Sequence, residues 1–342
     1  MTAMPREPAD DAEFCRRMLP GVSRTFALTI RLLPERLEHP VLVAYLLCRV
    51  ADTVEDTTRL PAARKAALLA LFARCLDEDG LDPADLRAAF ADHRNDEELL
   101  AHRADVVLRE FRRLRDAQRA AIRPWVKDMC AGMADFVLQH GDATADGPAV
   151  LHSVAELERY CYYVAGTVGH LLTALFTLHD GRMRAAEQER LRGLATSFGL
   201  GLQLTNIIKD VADDRRRGVS YVPRELFERA GLIPGQSSPG RVEALLAPLI
   251  AKARSHLRDA LEYCTRLPRR QYRIRLFCLT SLYFAIRTLR LAELQPARLA
   301  DSRDKLKITR AEVYRTLAMT HLVAPTNVLV RAYFDRLSAA RA

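Results

Sequence analysis

The chain has 342 residues, 49% of them hydrophobic, with only 15 Gly and 16 Pro. Its net charge of +9 suits an anionic partner (nucleic acid, an acidic membrane surface or a phosphorylated substrate) or reflects an Arg-rich solvated surface from an Arg- and Ala-biased genome. Its seven cysteines are scattered, odd in number and free of any CxxC pair, which excludes a disulfide or zinc framework and predicts reduced thiols in a cytosolic protein.

The chain opens on "MTAMPREPADDAEF", which has acidic residues and no apolar core, so no signal peptide is expected. No run approaches the length of an uninterrupted apolar span, so no transmembrane segment is predicted. Residues 1–12 read as a flexible tail and 13–342 as a single all-helical domain. Apolar positions recur at three and four through 61–79, 119–140, 155–178 and 186–214. Strand alternation with hairpin turn pairs is missing. Breakers fall at Pro20-Gly21, Pro34, Pro40, Gly80 to Pro83, Gly141 to Pro148, Asp180-Gly181, Gly218 to Pro223 and Ile233 to Gly240. They divide an all-α architecture of ten or more helices, with a second mobile stretch expected at 234–240.

Two segments break the amphipathic rule. "RVADTVEDT" (49–57) follows the apolar run "VLVAYLLC" and places Asp52, Glu55 and Asp56 three and four apart, hence on one helix face, with Arg49 one turn earlier. Such like charges repel, and part-burial makes this worse unless a cation compensates. "NIIKDVADDRRRG" (206–218) repeats the device: Asn206, Asp210 and Asp214 recur at fours, with Asp213 beside them and Lys209 and Arg215 to Arg217 flanking. One such cluster reads as a solvated helix end. Two, each beside an apolar stretch and each with basic residues, point to Mg²⁺ held by carboxylates and bridged to substrate phosphates. The nearby Arg and Lys neutralise the remaining phosphate charge. The implied ligand is a diphosphate at the mouth of an apolar, helix-walled cavity.

At these motifs the chain resembles the squalene and phytoene synthase family of head-to-head prenyl synthases, over roughly residues 14–320. "DTVED" (52–56) matches the first aspartate-rich motif and "QLTNIIKDVADD" (203–214) the second. "YCYYVAGTVG" (160–169) matches the tyrosine-containing helix, and "SRTF" (23–26) the N-terminal flap motif. The resemblance implies an all-α isoprenoid synthase fold around a central apolar cavity. It implies a two-step reaction of two farnesyl diphosphate molecules through presqualene diphosphate. Carried onto this chain, Asp52, Asp56, Asp210 and Asp214 would hold Mg²⁺, with Glu55 and Asp213 in support. Ser23, Arg24, Arg49, Asn206, Lys209 and Arg217 would bind diphosphate. Tyr160 takes the place of the catalytic tyrosine, able to relay a proton. Phe26, Tyr45, Val164, Leu202, Gln203, Phe277 and Tyr283 would line the prenyl pocket. Gly166 and Gly169 would let the prenyl chain approach the backbone, or serve as helix-packing glycines.

Three features resemble squalene synthases in particular: the wording "DTVED", the wording "TNIIKD", and the basic segment "KLKITRAEV" (305–313). In that segment Lys305, Lys307 and Arg310 would pair with an NADPH phosphate, or form a solvated charge run. Departures point the other way. Gly218-Val219 replaces a Gly-Arg pair, "SYVP" (220–223) resembles phytoene synthases equally, and Ser281-Leu282 replaces a Pro-Gln pair. The expectation is a bacterial-type squalene synthase in the cytoplasm, with peripheral contact at the inner face of the membrane for product release. The alternative stops at presqualene diphosphate, dehydrosqualene or phytoene without reductant. Nucleic acid is not an expected partner: the aspartates lie where cations would be needed, and aromatics are few, at 7%.

Overall fold

The computed structural model describes residues 8–141, 149–233, 240–300, 303 and 305–339. Contacts group the chain into two compact units, Met1–Gln139 with Leu171–Gly181, and His140–His170 with Arg182–Ala342.

The first unit opens on α1 (Pro8–Val22), α2 (Arg24–Ile30) and α3 (Glu35–Asp56). It continues with α4 (Ala62–Cys75), α5 (Ala84–Ala89), α6 (Asp96–His102), α7 (Ala104–Arg113) and α8 (Asp116–His140). Local chemistry sets the starts. The Ser23 hydroxyl accepts from Phe26 N at 3.1 Å and caps α2, and Asn95 accepts from Glu98 N at 2.8 Å and caps α6. α3 is the central element, buried along most of its length from Leu37 to Glu55. The tail expected at 1–12 ends sooner. Pro8 to Ala12 already belong to α1, because Asp11 is buried between Arg109 (2.9 and 3.0 Å) and Arg113 (3.1 Å) of α7. Residues 1–7 lie outside the described residues, as do 234–239 of the second expected mobile stretch.

The second unit runs from β1 (Ala149–Val150) through α9 (Val154–Cys161), a π-helical turn (Tyr162–Gly166) and α10 (Thr167–Asp180), whose later part belongs to the first unit. Then come α11 (Ala185–Arg216), β2 (Val219–Ser220), α12 (Arg224–Arg229), α13 (Val242–Arg266), α14 (Tyr272–Leu294) and a 3-10 turn (Pro296–Ala300). α15 (Arg310–Val323) and α16 (Asn327–Ala339) close it. One strand pairing departs from the all-helical expectation. Ala149 and Val150 pair in parallel with Val219 and Ser220, in strands too short to show any alternation.

α11 is the spine of this unit. It packs against the π-turn region so closely that a Cβ on Gly169 would stand 2.1 Å from Ala195 O, and one on Gly199 2.1 Å from Ala165 O. α14 is buried on nearly every side. Its Arg275 is fully buried and donates to Cys264 O (2.9 Å), Leu267 O (2.8 Å), Ala324 O (3.0 Å) and Asn327 Oδ1 (2.8 Å). A cation facing the carbonyl ends of α13 and α15 is stabilised by both helix dipoles. The helical stretch Val154–Asp180 is long and apolar enough to cross a membrane by length and composition alone, contrary to the expectation that none would be. Its charge-free part, from Cys161 to Leu178, is interrupted as an apolar run only by Tyr, Gly, Thr and His, which a helix-length average tolerates.

Candidate functional site

In the first unit the candidates cluster along α2 and one face of α3. The rings of Phe26 and Tyr45 lie 5.0 Å apart, and the Tyr45 hydroxyl is in hydrogen-bond contact with Ser23. Burial pushes the Tyr45 phenol up to about 12, so it stays protonated at neutral pH. Arg24 is the first residue of α2; its side chain lies outside the described residues. One turn past Tyr45, Arg49 pairs with Asp52 at 3.6 Å and with Glu97 of α6. Its Nε is buried without an acceptor. An oxyanion would satisfy that donor.

The carboxylates occupy the last turns of α3, and no basic residue shares the final turn. The negative end of a helix is the wrong place for them unless a cation is supplied. Burial, joined by the carboxylates of Asp56 and Glu97 against the pull of Arg49, pushes the Asp52 carboxyl up to about 7. Asp52 and Asp56 keep access to solvent, whereas Glu55 is buried and its backbone carbonyl accepts from Lys65 Nζ at 3.0 Å. The face expected to present three carboxylates therefore presents two.

In the second unit the candidates lie on the last three turns of α11. Asn206 is exposed. Lys209 pairs with Asp210; Arg217 pairs with Asp214 at 2.6 Å, and Asp214 is buried. Asp213 is bridged by Arg216 at 2.8 Å and by Lys305 at 2.6 Å. Burial works to raise the Asp213 carboxyl, but the ammonium of Lys305 outweighs it and holds the group below its usual range. Lys305, expected at a cofactor phosphate, is thus committed to the second aspartate segment. Lys307 and Arg310 are exposed beside the start of α15, with no carboxylate partner among the described residues.

Tyr160 sits in the last turn of α9, buried and stacked on Tyr221 with ring centroids 4.9 Å apart and planes 20° from parallel. The π-helical turn begins two residues later; such turns insert a residue into an α-helix and are frequent at functional sites. Val164 is half-buried on it and Gly166, buried, faces the Tyr162 ring. Leu202 and Gln203 are half-buried on α11. Gly169 packs against the α11 backbone, the second of its two readings. Tyr283 is fully buried, donates to Val330 O at 3.0 Å and meets Tyr333 edge-on at 4.9 Å, so α16 covers it. Phe277 is buried on α14. A recess of about 280 Å³ on α13 and α14, lined by Leu246, Ile250, Arg254 and Glu293 among others, contains none of the candidates.

No group of three or more His, Cys, Asp or Glu side chains among the described residues is arranged to hold a metal by itself. Mg²⁺ asks for less, since one or two carboxylates suffice when waters and a substrate phosphate complete its shell. Asp52 with Asp56, and Asp210 with Asp214, fit that demand: each pair lies at the negative end of a helix, and the Asp52 carboxyl, raised chiefly by burial, would be stabilised as a carboxylate by a bound cation. Lys307 and Arg310 fit a phosphate-bearing cofactor as exposed cations.

Sequence reasoning missed Glu97, Tyr221 and the π-turn. Glu97 carries no local signal, being 48 positions from Arg49. Tyr221 stands in "SYVP", a segment that informs only through its wording.

Carboxylates gathered at helix C-termini among cations make sense in a chain that handles metal and phosphate together. The helical architecture that carries them is the all-α isoprenoid synthase fold. The chain belongs to the squalene/phytoene synthase family, whose profile matches residues 19–312. It is 30% identical over 280 residues to a squalene synthase of Schizosaccharomyces pombe, covering 80% of this chain and 58% of that protein. The human squalene synthase is 30% identical, with 80% and 62% covered. The chain therefore spans about 60% of the length of these relatives. Among solved structures, the complex of TcSQS with the ligand E5700 superposes with a TM-score of 0.77 at 28% identity, covering 96% of this chain and 92% of that one. A dehydrosqualene synthase shares the fold at a TM-score of 0.63 and 22% identity.

Proposed function

We propose that this protein is a farnesyltransferase that condenses two molecules of farnesyl diphosphate through presqualene diphosphate to squalene, using Mg²⁺ and NADPH. The observation that carries the reading is the pair of carboxylate ladders, Asp52/Asp56 and Asp210/Asp214, each at the negative end of a helix and each among cations. Support comes from the squalene synthase relatives at about 30% identity.

The chain's own residues divide the work. Asp52 and Asp56, and separately Asp210 and Asp214, would hold Mg²⁺, which when bound supplies Lewis-acid stabilisation of the departing diphosphate. Arg49, through its unsatisfied Nε, and Lys209 and Arg217, by exchanging carboxylate for phosphate oxygens, bind and orient the diphosphate. Tyr160, fixed by its stack on Tyr221, takes up and passes on the proton lost when the cyclopropane closes. Lys307 and Arg310 would hold the phosphate of NADPH, which supplies hydride to the second cation. The protein works in the cytoplasm, peripheral to the inner face of the membrane, where its apolar product leaves.

One observation favours the unreduced alternative: Lys305 is committed to Asp213, which thins the cations left for a cofactor. The experiment is a product assay with purified protein, farnesyl diphosphate and Mg²⁺, with and without NADPH, read by mass spectrometry. Squalene only with NADPH is the expected result. A product unchanged by NADPH overturns squalene in favour of presqualene diphosphate or dehydrosqualene. Full activity in Asp52→Ala or Asp210→Ala overturns the metal assignment.

A further inference from the structure

Four of the eight exposed large hydrophobic residues among those described fall within sixteen positions at the end of the second unit: Tyr314 (69% exposed), Leu322 (65%), Val328 (78%) and Leu329 (46%). Tyr314, the exposed Ala318 and Leu322 recur at fours along α15 and make one stripe. The exposed Pro325 continues it into the turn, and Val328 and Leu329 extend it onto the first turn of α16. The opposite face already packs inward through Thr316, Thr320, Val323, Val330, Tyr333 and Phe334. A helix at the surface of a folded chain needs one apolar stripe, and α15 carries a second that faces water.

Neither the conformation nor the charge of this ridge is accidental to its surroundings. The turn between the helices is clamped from below: Arg275 donates to Ala324 O at 3.0 Å and to Asn327 Oδ1 at 2.8 Å, while Asn327 Nδ2 donates to Thr265 O at 2.9 Å. The apolar ridge is therefore held out rigidly. From 305 to 339 the chain has six Lys or Arg against two carboxylates; Lys305 is held by Asp213 at 2.6 Å, Arg331 by Glu262 at 2.6 Å and Arg315 lies 3.9 Å from Glu312, which leaves three. Lys307, Arg310 and Arg336 are exposed and have no carboxylate partner among the described residues; the first two are also the cations proposed for the cofactor phosphate, and Arg336, on the same face of α16 as Val328, is the one the ridge does not share.

We propose that the outward ridge of α15 and α16 docks on an anionic lipid bilayer, with Leu322, Val328 and Leu329 entering the headgroup boundary and the surrounding Arg and Lys meeting acidic headgroups. This deepens the peripheral placement proposed above and rests on it. An apolar stripe rimmed by cations is the composition that lies in a bilayer interface, with a tyrosine suited to its edge. Each nearby cation adds attraction to an acidic leaflet. A second copy of the chain is the poorer occupant, because self-association would set one basic rim against another.

The test is co-sedimentation of the full chain with phosphatidylcholine vesicles, with and without phosphatidylglycerol, for wild type and for a Leu322→Glu/Val328→Glu double variant. Both sites are exposed and outside the reaction machinery, so the variant should keep its Tm and its turnover of detergent-dispersed farnesyl diphosphate. Wild type should bind the anionic vesicles, bind more weakly as salt rises, and lose about tenfold or more in partitioning in the variant. Equal binding by the variant overturns this surface while leaving the peripheral placement standing. No binding by wild type overturns both. Dimerisation of wild type that the variant abolishes, without vesicle binding, assigns the ridge to a second copy and overturns the lipid reading. The enzymatic reading is judged separately by the detergent assay.

Discussion

Lys305 Nζ stands 2.6 Å from Asp213 Oδ2, ninety-two positions away in sequence, so the basic segment before α15 reaches the second aspartate segment of α11. Arg216 shares the same carboxylate. Its position favours a role at the carboxylates over one at a cofactor. Lys305→Ala should therefore raise the KM for farnesyl diphosphate and the Mg²⁺ requirement several-fold and leave the KM for NADPH unchanged. A selective rise in the NADPH KM would return Lys305 to the cofactor. Stability should change by about 1 kcal/mol or less, since the lysine is half exposed.

Tyr160 and Tyr221 separate chemistry from packing. Tyr160→Phe keeps both rings of the stack and should cost about 1 kcal/mol or less of stability. It should nonetheless lower presqualene diphosphate formation by roughly 100-fold if the phenol moves the proton. Tyr221→Ala removes the partner ring and should cost about 2–4 kcal/mol, with partial rescue by Tyr221→Phe. Thermal melts beside single-turnover product analysis distinguish these. A Tyr160→Phe enzyme with the wild-type rate would make Tyr160 structural.

What the sequence made legible is what repeats locally. The helices announced themselves through periods of three and four, and the pairs Asp52/Asp56 and Asp210/Asp214 through spacing on single helices. Features that depend on distant segments left no trace. Glu97 joins Arg49 across two helices, Lys305 joins Asp213 across ninety-two positions, and Tyr221 reaches Tyr160 from beyond the end of α11. The contact of Tyr283 with α16 left no trace either, because α14 is buried on nearly every side and periodicity could not tell those sides apart. Glu55 looked like a third ligand because spacing gives a face, not the depth at which a neighbouring helix covers it.

Gly169 resolves an ambiguity of the same kind. Its Cα lies so near the Ala195 carbonyl that an added methyl would stand 2.1 Å from a backbone oxygen. Backbone cannot step aside as a side-chain tip can, so Gly169→Ala should destabilise by about 3 kcal/mol or more, or fail to fold. Gly193→Ala, where nothing lies within 4 Å, is the control and should be neutral or slightly stabilising. A Gly169→Ala protein with a wild-type Tm would mean that the helices are further apart than described.

Asp52 should make the metal-free protein lose stability as pH rises. Its folded carboxyl is held up at about 7 against an ordinary 3.8, so the folded state binds the extra proton between those values. The stability this contributes is complete below pH 3.8 and is lost as pH rises through about 7. Asp52→Asn, which cannot ionise, should be more stable than wild type at pH 8 by about 1–3 kcal/mol, a figure reduced for residual water access. Adding Mg²⁺ with inorganic diphosphate should narrow the gap by stabilising wild type more than the variant, which keeps only the Asp210/Asp214 site. Parallel melts with and without the additives check both halves. A wild type as stable as Asp52→Asn at pH 8 without metal would remove the strain assigned to this carboxylate.

Asp11 gives the opposite slope at the other end of the scale. The guanidinium of Arg109, hydrogen-bonded to it, outweighs burial and with Arg113 holds the Asp11 carboxyl below its ordinary 3.8. Here the unfolded chain takes up the proton first. The stability from the pair is therefore present above pH 3.8 and is lost as pH falls through the depressed folded value. Asp11→Asn should cost roughly 1–3 kcal/mol at pH 7, because the pair ties α1 to α7 from a buried position while both arginines remain about 40% exposed. The deficit should shrink when melts are repeated below pH 3.8, where the wild-type carboxylate is being protonated too. A deficit that is the same at both pH values would mean that packing, not charge, holds α1 in place.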